Sequence, residues 1–405
     1  MPEQFRKATE QLRADNLARV LTLVHHHGPL SRAQITRDTG LNRSTVGQVV
    51  SDLVLAGWVR SSSESATTGV GRPSPLVEAV EDVVVLAVNP EVDGIELALV
   101  GLGGVVRARA HIPGSAADPD WVVRAIQDAL PSLRAQLRPP ITLLGAAAAV
   151  PGLVDTDGVV RVAPHLGWRE VRFAELLSEA LGLPAQASND AHLGALAEQT
   201  FGGARGVADF VYLNGGASGI GGGIVAGGVP LGGAAGFAGE WGHMVVASDS
   251  RWSDAEGASL ERLVNRSRLL DAAGLAASPE QADDALHANK AERALAELAR
   301  RLRSLASTPG DDGLRDEVDR QLLALGTALR NAVNVLNPSL VLLGGFLADL
   351  SAAVPGALEQ QIRSQALAPA AEVVRVVEAQ LGRDILLIGA AELVFQQHFS
   401  ALTAR

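Results

Sequence analysis

Five side chains carry most of the chemistry that this sequence offers: Asn189 beside Asp190, Glu240 three residues before His243, and Glu261 further on. They supply an amide, three carboxylates and an imidazole, groups that accept and donate along a row of hydroxyls in a partly dry cleft. Asn189 and Asp190, after a short strand, are expected to present an amide and a carboxylate to adjacent hydroxyls. Glu240 and His243 can share one face of a turn or short helix and hold the opposite ring edge. Glu261, near the start of the next helix, completes the ring. Such an array suits a carbohydrate.

A second constellation lies near the N-terminus. Ser31-Arg32-Ala33-Gln34 has the pattern of a capping box opening a helix that ends near Thr39-Gly40. Asn42 is a good N-cap for the next helix, whose apolar stripe is Val46, Val49, Val50, Leu53 and Leu55. A first amphipathic helix opens at Asp15-Asn16, runs through Leu17, Val20, Leu21 and Val24, and stops at Gly28-Pro29. Two short helices joined by a Gly-containing turn form a helix-turn-helix, which places the start of its second helix in a DNA major groove. Arg43, Ser44, Thr45 and Gln48 are then the candidate base readers, with Ser31 and Arg32 beside them. A wing follows: Trp58-Val59-Arg60, a polar loop, then Gly69-Val70-Gly71-Arg72-Pro73. Pro73 biases Arg72 toward an extended backbone, which suits a narrow minor groove. The alternative for this stretch is a flexible linker. His25-His26-His27 is expected at a helix end with one face in the core and one in solvent. Consecutive helical residues point in different directions, which argues against a metal.

The elements that must hold the first constellation are α/β. Apolar runs of strand length at 83–88, 95–100 and 105–111 precede helical spacing at 121–137 and a buried strand at 141–150. The same grammar returns at 210–213, 220–225 and 340–343, the last after a helix around 322–336. This duplication implies two α/β lobes with a cleft between them. Residues 274–316 read as a peripheral helical insertion. The organisation is therefore a DNA-binding head over 1–80 and a body over 81–405. Lobe one of the body takes about 81–200 plus a C-terminal helix at 384–405, and lobe two takes 201–383.

Composition narrows the class. With 405 residues, 47% hydrophobic and 20% charged, the chain is globular, and it lacks a signal-peptide pattern or an uninterrupted apolar span. Zero cysteines exclude disulfides and thiolate metal sites and suit a cytoplasmic protein. The net charge of −11 splits into +2 for residues 1–80 (nine basic, seven acidic) and −13 for the rest. DNA can still choose the head.

Four segments in order, Pro151-Gly152-Leu153-Val154-Asp155, Ser188-Asn189-Asp190-Ala191, Gly219 to His243, and Asn337-Pro338 to Gly344-Gly345, resemble the ROK family (repressors, open reading frames and sugar kinases). The similarity covers 85–400. The head matches as well, so the chain resembles the family's regulators, the group that includes xylose and N-acetylglucosamine repressors. The resemblance implies a winged helix-turn-helix plus a two-lobed actin-like, sugar-kinase fold of duplicated ribonuclease H-like type. In family kinases the residue matching Asp190 is the catalytic base; here it is expected to act as a hydrogen-bond acceptor.

Two departures bear on activity. Family kinases open with Asp-x-Gly-Gly-Thr, where this chain has Asn89-Pro90-Glu91-Val92-Asp93-Gly94; charge and an amide are lost where phosphate and Mg²⁺ would bind. The second phosphate loop reads Ala217-Ser218-Gly219 in place of Gly-Thr-Gly. The family's zinc-binding cysteines are missing after His243, in the stretch 251–258, and one histidine cannot make a tetrahedral site. The expectation is neither ATP nor zinc, and a sugar-responsive transcriptional repressor, a homodimer or tetramer on operator DNA. The alternative is an ATP-dependent sugar kinase with an accessory DNA-binding head; a third is a DNA-bound scaffold with a vestigial cleft.

Overall fold

The computed structural model describes residues 3–65, 75–138, 140–216, 219–246, 259–275, 284–305 and 310–403. It divides into two compact units, Met1–Leu193 with Asp384–Arg405, and Gly194–Arg383.

The first unit begins with α1 (Glu3–His27), β1 (Leu30–Ser31), α2 (Arg32–Thr39), α3 (Arg43–Leu55), β2 (Val59–Ser65) and β3 (Pro75–Ala79). Helix α1 starts well before the expected Asp15. Residues 3–14 are mostly Glu, Gln, Arg, Lys and Ala, which favour helix without writing an apolar stripe. Its C-terminus is where the sequence puts it: Gly28 has φ 76° and donates to the Val24 carbonyl. The Ser31–Gln34 capping box forms in both directions, and Gly40 closes α2 at φ 68°. Asn42 Oδ1 accepts from the Thr45 N–H at 2.9 Å and starts α3. Val20, Leu21, Val24, Ile35, Val46, Val50 and Leu53 are buried between the three helices. Strands β2 and β3 form an antiparallel hairpin joined by β1.

The body of this unit is a five-stranded sheet in the order β11-β7-β4-β5-β6. Strands β4 (Val83–Glu91), β5 (Gly94–Gly101) and β6 (Val105–Pro113) form an antiparallel meander. After α4 (Pro119–Arg134), β7 (Thr142–Val150) pairs parallel with β4. A small antiparallel sheet of β8 (Leu153–Val154), β9 (Val160–Ala163) and β10 (Trp168–Val171) follows. Then come α5 (Phe173–Leu181), β11 (Ala185–Asn189), parallel to β7, and α6 (Asp190–Thr200). Val84, Leu86 and Val88 pack with Ile126, Leu133, Phe173 and Leu177 of α4 and α5.

The second unit repeats the topology. Strands β12 (Phe210–Gly215), β13 (Ile220–Ala226) and β14 (Val229–Pro230) form the meander, and β15 (Leu340–Gly345) and β16 (Arg375–Glu378) add in parallel, giving β14-β13-β12-β15-β16. Between them run α7 (Leu260–Leu263), α8 (Arg266–Ala272), α9 (Asp284–Ser304) and α10 (Asp312–Leu336); α11 (Phe346–Ala353), α12 (Ala357–Gln365) and α13 (Ala368–Val373) follow β15. Leu314, Val318, Leu325, Leu329 and Val333 of α10 pack with Val341, Leu343 and Leu347.

The chain returns to the first unit as α14 (Ile385–Thr403). The stretch Gly382–Leu402 is long and apolar enough to cross a membrane, yet 56% of it is buried in the fold. It packs on β4, β7 and α1 and buries Glu392 completely, the behaviour of a core helix.

Candidate functional site

In the first unit, parallel pairing aligns Asn189 with Val150, immediately before the Pro151-Gly152 turn. The Asn189 Nδ2 donates to the Gly152 carbonyl at 2.9 Å, and its Oδ1 accepts from the His192 N–H at 3.0 Å. Its amide therefore braces the turn against α6, and these two bonds use one of its two N–H groups and one of its two acceptor positions. The turn itself admits no side chain, because a Cβ on Gly152 would lie 2.5 Å from the Val162 carbonyl oxygen. Asp190 is the first residue of α6 and half-buried; its Oδ1 accepts from the Ala191 N–H at 2.8 Å. The helix N-terminus favours its charged form.

At the end of the first hairpin the buried Asn89 donates from Nδ2 to Glu91 Oε1 at 2.8 Å. Burial pushes the Glu91 carboxyl above its ordinary range, and neighbouring Asp93 and Glu96 push the same way. Where family kinases would offer open backbone to phosphate, this hairpin gathers three carboxylates, countered by His111 on Glu96 at 2.7 Å. The like charges of these carboxylates oppose a bare phosphate at this turn. Ala217 and Ser218, of the second expected phosphate loop, lie outside the described residues.

In the second unit His243 and Glu261 come together, with Glu240 at the start of the same turn as His243. Glu240 precedes the single 3-10 turn Trp241–His243, and Glu261 is the second residue of α7. His243 Nδ1 stands 3.9 Å from Glu261 Oε1, and the imidazole is largely exposed. Two glycines cradle the Glu261 carboxylate: a Cβ on Gly219 would fall 2.6 Å from Oε2, and one on Gly242 2.7 Å. Gly219 also has φ 128°, which suits glycine alone. Sequence reasoning named Glu261 but not this cradle, whose signal was the glycine at 242 between two named residues. The stretch 251–258, where the family's zinc-binding cysteines are missing, lies wholly outside the described residues.

In the head, Arg32, Arg43, Ser44 and Gln48 are exposed and Thr45 is half-buried at the start of α3. Ser31 needs correction, because its hydroxyl is engaged with Gln34 in the cap. Ser44 Oγ donates to Asn42 at 2.6 Å, and Gln48 to Asp52 at 2.9 Å; Arg13 of α1 holds the same Asp52 at 2.8 Å. Gln48 is thus pre-oriented by an acidic neighbour. Arg72 lies outside the described residues.

One cluster was missed. His25 Nε2 lies 2.7 Å from Glu392 Oε2, and His26 Nε2 3.2 Å from Oε1. The donor types are those of a divalent-metal site. Yet the Gly103 N–H donates to His25 Nδ1 at 2.9 Å, which puts the ring proton on Nε2, facing the carboxylate. A metal-bound imidazole uses its second nitrogen as a donor; here that nitrogen accepts. The cluster fits a hydrogen-bonded joint. Its signal in the sequence was a lone acid in the apolar run Ile385–Phe395.

Residues 85–397 match the ROK family. The chain belongs to the ROK family. Among curated relatives, this ROK protein is 24% identical over 379 residues to the xylose repressor of Bacillus subtilis (strain 168), covering 93% of this chain and 94% of that one. It is 28% identical over 311 residues to the glucokinase of Halalkalibacterium halodurans, covering 76% of this chain and 93% of the relative. Among solved structures, a ROK family transcriptional regulator, a homologue of the E. coli MLC protein, superposes with TM-score 0.74 at 23% identity, covering 97% of this chain and 98% of that one. The fold is accordingly the actin-like ROK sugar-kinase fold with mixed sheets.

Proposed function

We propose that this ROK protein is a sugar-responsive DNA-binding transcription regulator, acting as a repressor of carbohydrate uptake or catabolism genes. Residues 1–80 are its winged helix-turn-helix head, and α3 enters the major groove with Arg43, Ser44, Thr45 and Gln48 toward the bases. Asn189, Asp190, Glu240, His243 and Glu261 are its sugar-binding residues in this reading, and the protein works as a homodimer in the cytoplasm. The observation that carries this reading is the extent of the likeness. The repressor relative aligns across 93% of the chain, whereas the glucokinase alignment takes in only 76%. The carboxylates at Glu91, Asp93 and Glu96 support a body that does not handle ATP.

A sugar shifts DNA affinity only by its unequal affinity for two conformations. The test is selection of operator fragments from random DNA by the full chain, then titration with pentoses, hexoses and amino sugars. Two half-sites a whole number of helical turns apart, and an affinity that one sugar changes, are expected. Absence of any selected sequence overturns the reading. The kinase alternative draws on Asp190 and the glucokinase relative; sugar-dependent ADP release abolished by Asp190→Asn would establish it.

A further inference from the structure

Helix α14 touches the head through α1 and the sheet of the first unit through β4, β7 and β11. It also meets α6 at one very close point: a Cβ on Gly389 would collide with the backbone carbonyl of Leu193. Leu193 is three residues, about one helical turn, after Asp190, and Glu392 is three residues after Gly389. A short path of backbone and buried side chains therefore leads from Asp190 to His25.

The last link is directional. His25 is held at both ring nitrogens, by the Gly103 N–H and by Glu392, and its ring packs against Phe395 and Phe399 at centroid distances of 4.9 and 5.3 Å. Gln396 Nε2 donates to Glu392 Oε1 at 2.9 Å, so both carboxylate oxygens are engaged. Burial lowers the His25 pKa and favours the neutral ring. Burial alone would raise that of Glu392, but the hydrogen bonds from the two histidines, together with their electrostatic attraction, outweigh it and hold the carboxyl down at about 2. The contact is thus a hydrogen bond from a neutral imidazole to a carboxylate, fully buried on both sides. An apolar contact would let α1 slide on α14; this one fixes its register.

We propose that Glu392 is the positioning residue of a relay in which α6 bears on α14 at Leu193–Gly389 and α14 sets the orientation of the head through His25. The relay rests on the sugar-responsive reading above, in which Asp190 meets the sugar.

The absence of cysteine allows spin labels to be placed cleanly at Ser51→Cys on α3 and Asp128→Cys on α4, both exposed positions. The otherwise unchanged full-length chain, diluted in an excess of unlabelled cysteine-free chain so that each assembly holds at most one labelled copy, should give one narrow inter-label distance. In His25→Leu/Glu392→Leu, replacement of a buried polar pair by apolar side chains should leave the melting temperature close to that of the unchanged chain. The distance distribution should nevertheless broaden; one that superimposes on the original overturns the proposal. On DNA selected by the unchanged chain, with D-xylose as the probe, a sugar effect of about 5–150-fold should fall to about 1 in the double variant. The D-xylose thermal shift should persist. If D-xylose and the other sugars shift neither chain, the sugar reading fails, and the label distances still decide the joint. Should the double variant not fold, Gly389→Ala takes its place: its methyl must part α6 from α14 and move the labels, and unmoved labels refute the relay.

Discussion

The two sheets share one strand order, yet their first hairpins have diverged. The β4–β5 hairpin ends in Asn89, Pro90, Glu91 and Asp93, and a side chain and a carboxylate fill the place where backbone should be open. The β12–β13 hairpin keeps Gly219 at φ 128° and Gly221-Gly222-Gly223, and Glu261 reaches in against Gly219. Side-chain-free backbone is present where the Glu261 carboxylate is seated and absent at the Asn89-Pro90 turn. A duplicated fold lets one half change its chemistry while the other keeps its own, because each hairpin depends on its own sheet.

The sharpest break of this comparison is Gly242→Val. The new side chain would meet Glu261 and the Ile220 carbonyl, whose oxygen lies 2.6 Å from the position of a Cβ. Overpacking typically costs about 1–3 kcal/mol. The larger consequence is for binding: a sugar at 100 times its dissociation constant stabilises the unchanged protein by about 2.7 kcal/mol, and all of this should vanish. A thermal-shift titration with the best sugar from a screen measures it. Full retention of the shift would remove the glycine cradle from the site.

Glu261→Gln is the milder version. It keeps the shape between Gly219 and Gly242 but removes the charge, and a hydrogen bond to a charged group contributes about 1.5–3 kcal/mol. Affinity for the sugar should fall by about tenfold, with DNA binding in its absence unchanged. Isothermal titration of the two proteins decides it; equal affinities would mean that Glu261 only supports the His243 turn.

What the sequence made legible was local. Ser31 with Gln34, Asn42, Gly28 and Gly40 each state a helix end within four residues, and each stands where that chemistry requires. Strands β4, β5, β7, β12, β13 and β15 were readable because buried strands are largely continuous apolar runs. The sheet of β8, β9 and β10 was not, since its strands have only two to four residues and form through contact with one another. The bracing role of Asn189 was not legible, because its two partners, Gly152 and His192, appear only once β11 lies beside β7. The His25–Glu392 joint was out of reach for a plainer reason: its partners are 367 residues apart.

The smallest expected effect tests the other hairpin. Glu91→Gln should leave sugar affinity unchanged and confer no ATP binding, since Pro90 and Asn89 remain. Its stability effect has a definite sign. The folded Glu91 carboxyl titrates above its unfolded value of 4.5, chiefly through burial. Above that pH the unfolded chain loses this proton first, so Glu91 costs stability as pH rises through the folded pKa. A glutamine carries no such cost. The variant should therefore match the unchanged protein below about pH 4 and become the more stable of the two toward neutrality, by roughly 1 kcal/mol or less, as expected of a near-surface substitution. Denaturant melts across that pH range read the difference directly. A variant that loses stability at neutral pH would mean that the ionised Glu91 is anchoring Asn89, and that the first hairpin has been rebuilt around a structural pair.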